Sequence, residues 1–78
     1  MKYKIVERSL VWDSAIGAIS YLEATADGVT NLPIANSADG IRETEMFLTQ
    51  MSLNGWELVS THRRSEGHPV VVFIFKEA

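Results

Sequence analysis

The side chains best suited to chemistry in this 78-residue chain are two histidines, His62 and His68, which flank a turn near its C-terminal end. Across a hairpin they could approach each other, and neutral imidazole is a common ligand for zinc and related metals. A transition-metal site needs further ligands, and no third one is spaced to join them, so ordinary surface histidines account for the pair better. Glu43 and Glu45 invite an acid–base reading, but residues two apart on a helix point about 200° away from each other and cannot act as a carboxylate pair. No serine or threonine sits in a nucleophile elbow or beside a base. Gly17, Gly28, Gly40, Gly55 and Gly67 are scattered singly, so no phosphate-cradling loop is present. The chain has no cysteine, which excludes thiolate chemistry, thiolate metal sites and a disulfide framework. No catalytic residue, cofactor or metal is expected, although small oligomers can build sites between subunits that one sequence does not display.

Charge offers a different possibility. Lys4, Arg8, Arg63 and Arg64, with Tyr3 and Trp12, could form a basic, aromatic sheet surface of the kind that stacks single-stranded nucleic acid. The net charge of −3 weighs against it, because phosphate neutralisation needs a basic surface. Residues 1–12 and 56–78 are nevertheless net +2, and residues 13–55 are net −5, so a mildly basic sheet faces an acidic helical layer. The bland reading is that these cations solvate strand edges and discourage unwanted pairing.

These residues are positioned by elements that the pattern marks unevenly. One domain spanning 1–78 is expected, with a core too small to be amply stable alone, so help from oligomerisation fits the length. The first strand runs from Lys2 to about Val11, with Tyr3 and Ile5 on one face and Val6, Leu10 and Trp12 on the other. The main helix begins near Asp39, a potential cap, and places Ile41, Thr44, Phe47, Leu48 and Met51 on one stripe toward the sheet. Asn54 and Gly55 close it, with Gly55 left-handed and Trp56 packing back on Met51. Met46 and Leu53 fall on the opposite side and are expected to be covered by the inserted segment 13–38. That segment is either a short helix, with Ala15, Ile19, Leu22 and Ala26 on its stripe, or a hairpin turned by Asp27-Gly28. Trp56 to Arg64 forms the second strand and Pro69 to Lys76 the third, joined by a turn at Ser65-Glu66-Gly67-His68. The expected fold is thus α+β, β-α-β-β, with a three-stranded antiparallel sheet in the order 1-3-2 and one main helix on one face.

Three segments carry a family resemblance: Tyr3-Lys4-Ile5-Val6, Leu53-Asn54-Gly55-Trp56-Glu57-Leu58-Val59-Ser60 after the helix, and Val72-Phe73-Ile74-Phe75-Lys76. In these the chain resembles the small bacterial family catalogued as domain of unknown function 4177, with Gly-Trp-Glu-Leu-Val behind an amphipathic helix the most specific part. The resemblance covers the two ends of the chain and departs at 13–38, where that family usually has a short link. It implies a strand-helix-strand-strand fold and brings no activity with it.

The third strand, Val70-Val71-Val72-Phe73-Ile74-Phe75, is apolar on both faces, which implies that the sheet face away from the helix is also covered. The leading expectation is a non-catalytic interaction module that self-associates through that face, using Val6, Val59, Val70, Val72 and Ile74. A homo-oligomer or another protein partner follows from this, with nucleic acid binding through Lys4, Arg8, Arg63 and Arg64 as the alternative and a ligand-binding or enzymatic oligomer behind it. Glu7 and Arg8 interrupt the first apolar stretch, so neither a signal-peptide core nor a membrane span is expected; with no cysteine, a cytoplasmic location fits.

Overall fold

A computed structural model describes residues 1–64 and 70–78. The chain runs β1 (Tyr3–Asp13), β2 (Ala18–Thr25), β3 (Gly28–Pro33), α1 (Ser37–Leu53), β4 (Trp56–Arg63) and β5 (Val70–Glu77). All strand pairs are antiparallel, in one sheet of order β3-β2-β1-β5-β4. The α+β class holds, but the sheet has five strands, not three. Three strands expected from the sequence occur as β1-β5-β4, one side of a wider sheet.

The difference lies in the segment 13–38, which is a β-meander extension. β1 turns at Ser14–Gly17, where Gly17 takes φ +62° and the Ala15 N–H donates to the Asp13 carboxylate at 3.0 Å, an Asx turn that reverses the chain. β2 turns into β3 through Ala26 and Asp27, with Gly28 already paired to Thr25. The helical stripe through Ala15, Ile19, Leu22 and Ala26 loses because Ile19, Tyr21 and Glu23 alternate with Ser20 and Leu22 along a strand whose partner β1 supplies the backbone hydrogen bonds. β2 and β3 extend the sheet sideways and do not cover α1, so Met46 and Leu53 remain exposed.

The helix starts earlier than its acidic residues suggest. Asn36, extended at φ −159°, is the N-cap, and its side-chain oxygen accepts from the Asp39 N–H at 3.0 Å; Asp39 lies in the first turn, where the helix dipole favours a carboxylate. At the other end Asn54 is the C-cap and Gly55 takes φ +87°, as the sequence implies. Trp56 then packs against the core.

That core is small. Val6, Met51 and Phe75 are buried together, with Phe47, Leu48, Trp56 and Phe73 partly buried around them. Phe47 meets Phe73 and Phe75 edge to face, at centroid separations of 5.2 and 5.8 Å, the geometry that the ring quadrupoles favour. The helix stripe therefore runs through Gly40, Thr44, Phe47, Leu48 and Met51, whereas Ile41 is exposed.

Cross-strand partners fix the two sheet faces. Val6 opposite Phe73 and Arg8 opposite Val71 lie under α1, and Leu10, Trp12, Ile19 and Tyr21 continue that face beyond it. The other face carries Ile5 opposite Ile74, Glu7 opposite Val72 and Ser9 opposite Val70. No second layer covers it among the described residues, so these do not supply the covering expected from the doubly apolar third strand. A β-bulge between Leu58 and Ser60 puts Val59 out of register in β4.

Candidate functional site: an uncharged cleft beside a buried arginine

Arg8 is the least expected side chain in the structure, because it is almost fully enclosed between β1 and α1. Strand alternation places it on the helix side between Val6 and Leu10, and α1 supplies its lid. Its guanidinium carbon lies 4.5 Å from the Tyr21 ring centroid and 4.4 Å from that of Phe47. It donates to the Glu43 carboxylate, and its Nε lies 3.3 Å from Glu23 without the alignment of a hydrogen bond. Thr44 completes the enclosure: its hydroxyl oxygen is 3.5 Å from Arg8, 3.3 Å from the Tyr21 hydroxyl and 3.0 Å from the Gly40 carbonyl. Two carboxylates and two π faces thus satisfy one cation. Glu43, considered from the sequence as half of a rejected carboxylate pair, is an anchor that pins α1 to the sheet.

Beyond this anchor the helix ends and the sheet does not. Leu10 and Trp12 of β1, Ile19 and Tyr21 of β2, Ile34 and Ile41 line a cleft of about 690 Å³ closed on one side by the N-terminal end of α1. Trp12 is 67% exposed and Ile41 61% exposed, values unusual for large apolar side chains that share one surface. No residue lining the cleft carries a charge. A Cβ added at Gly40 would meet Ile34 and Tyr21 at ordinary contact distance, so the helix approaches these walls closely without requiring glycine there. Sequence reading placed Trp12 on one strand face with Val6 and Leu10 and did not find the cleft. The available signal was the two-residue alternation of Leu10 with Trp12 and of Ile19 with Tyr21.

The expected association residues do not form one surface. Val6 is buried beneath α1, on the opposite face from Val70, Val72 and Ile74, because the β1–β5 register pairs Val6 with Phe73, so even positions of β1 share a face with odd positions of β5. Val72 is already buried by its neighbours in the sheet, Val70 and Ile74 are half-buried, and Val59 sits exposed at the β4 bulge. Across this face the Glu7 carboxylate accepts from Arg64 at 2.6 Å, a pair that bridges over β5 from β1 to the end of β4.

The four cations of the nucleic-acid reading are likewise separated. Lys4 lies 5.8 Å from the Trp56 ring centroid, Arg8 is enclosed, Arg64 pairs with Glu7, and Arg63 alone is on the exposed β4 edge. His62 is exposed on β4, and no group of three metal-ligating side chains occurs among the described residues; His68 and the turn at Ser65-Glu66-Gly67-His68 lie outside them. No helix among the described residues is long and apolar enough to cross a membrane.

No protein-family model matches the chain, and neither a curated protein nor a solved structure matches it.

Proposed function

We propose that this chain is a non-catalytic interaction module that self-associates through its sheet. The observation that carries the reading is the mismatch between a five-stranded sheet and the single helix on it. The accessible surface is 5428 Å² for 8.7 kDa. A compact monomer of that mass exposes about 4,700 Å². The excess, about 700 Å², is close to the roughly 800 Å² that each partner contributes to a standard interface. A small core of this kind also gains most from association, since a lone core of such size supplies only a few kcal/mol.

Membership of the family that the three segments resemble belongs to the same proposal. Those segments supply the start of β1, the helix end with β4, and most of β5, and the β2–β3 extension is the addition peculiar to this chain. Native mass spectrometry of the untagged protein, recorded over a dilution series, tests the function. A discrete oligomer without adduct is the expected result. A monomer throughout the micromolar range overturns self-association.

A further inference from the structure

We infer that the second copy docks on the unroofed end of the β1–β2 hairpin, with Trp12 of each copy seated in the cleft of the other. This rests on the self-association reading and assigns its surface. The structure offers two open areas of sheet, and they differ in what an identical copy would meet. A two-fold contact sets a surface against itself, so charges of one sign near the axis repel their own images. The face away from α1 carries Glu7, Asp13, Lys76, Glu57 and Arg64 among its apolar residues, with Glu7 bound to Arg64 and Lys76 3.8 Å from Glu57, so a copy docked there would desolvate two ion pairs and set Asp13 near its own image. The cleft carries no charge, and it lies on a molecule of net charge −3 whose copies repel at most other surfaces.

Exposure points the same way. On the far face the central Val72 is buried and Val70 and Ile74 are half-buried, so the exposed apolar area of β1 there is confined to Tyr3 and Ile5 at the start of the strand. On the hairpin, Leu10, Trp12, Ile19 and Ile41 each keep about half or more of their surface in water. A tryptophan that protrudes beside an apolar concavity is the arrangement in which single residues dominate binding, and a cleft of several hundred Å³ is large enough to accept an indole. Two hairpins stacked through this face would make a sandwich with apolar inner faces about 10 Å apart. The shared Tyr21 and Thr44 then connect the contact to the Arg8 anchor, so docking also buttresses the small core.

Sedimentation velocity over a concentration series decides between the surfaces, using wild type, Trp12→Arg, Ile41→Glu and Ile5→Glu, each checked for folding by circular dichroism. Trp12, Ile41 and Ile5 are all exposed in the single chain, so their replacement leaves the monomer fold intact. Trp12→Arg and Ile41→Glu should each raise the dissociation constant by about 30-fold or more, the effect of losing one central contact. Ile5→Glu, on the opposite face, should leave it within about threefold. Should Trp12→Arg fail to fold, Ile41→Glu carries the test alone. A wild-type monomer sinks both this inference and the self-association reading. A wild-type oligomer that survives Trp12→Arg or Ile41→Glu, or that dissociates with Ile5→Glu, sinks the hairpin surface and leaves self-association standing.

Discussion

Replacing Arg8 with methionine removes the one cation that two carboxylates share inside the helix–sheet interface. Methionine is shorter than arginine but keeps an unbranched apolar body able to contact Tyr21 and Phe47, so the change removes the charge while retaining most of the stem's packing. Glu23 and Glu43 would then face a partner-less enclosure. Breaking a buried ion pair by deleting one member costs about 3–5 kcal/mol. The low end applies, since the Glu23 and Glu43 side chains retain 24% and 26% exposure and can recruit water. Loss of cation–π contact with two rings adds about 1 kcal/mol, part of which the thioether restores. The expected loss is therefore about 3 kcal/mol. A domain of this length has about 4–12 kcal/mol of stability in all, so the substitution consumes a large fraction of it. The assay is urea unfolding followed by far-ultraviolet circular dichroism. With a slope of about 1 kcal/mol/M, the midpoint should fall by about 3 M. The triple variant Arg8→Met, Glu23→Gln, Glu43→Gln should recover most of the loss, because neutral amides do not need the missing charge. A single variant that loses under about 1 kcal/mol, or a triple variant no better than the single one, would refute the claim that this cage pins α1 to the sheet.

The remaining predictions are local. Gly55→Ala should destabilise by about 1 kcal/mol in a thermal or urea melt, entirely through backbone strain at positive φ, because an added methyl meets nothing there. Asn36→Ala removes the acceptor of the Asp39 N–H and should cost about 1 kcal/mol, whereas Asn36→Asp should cost little. The Ser20 hydroxyl is fully buried with no hydrogen-bond partner among the described residues, so Ser20→Ala should be neutral or stabilising by about 1 kcal/mol; a clear loss would reveal an unseen partner. Phe75→Ala, at the centre of the core, should cost about 3–5 kcal/mol, read as a lowered midpoint in the same urea melt.

What was legible in the residues was what depends on near neighbours in the chain. Asn54-Gly55 stops the helix because only a residue tolerant of positive φ can end it there, and that is a property of two or three positions. The apolar run of β5 announces an interior strand, and β5 does lie between β1 and β4, although the cover it implied on its second face is not supplied by the described residues. By contrast, residues 13–38 contain both a helical spacing and a strand alternation, and the choice fell to β1, whose free edge completes β2's hydrogen bonds. The N-cap also moved, from Asp39 to Asn36, as several polar residues near the helix start were chemically capable of it.

Arg8 shows the limit most clearly. In the sequence it is one cation on a basic strand, available in principle to phosphate. Its actual partners lie between 13 and 39 residues away: Tyr21 and Glu23 reach it through the pairing of β2 with β1, and Glu43 and Phe47 only once α1 has crossed the sheet. The Trp12 cleft arises in the same way. Its walls come from β1, β2 and the start of α1, and it exists because one helix is too short to roof five strands. Composition and periodicity determined the main helix, the three strands β1, β4 and β5, and the absence of thiol chemistry, but not β2 and β3. Which charges pair, and which apolar face stays open, depend on contacts between elements distant in the chain, and only the tertiary structure decided them.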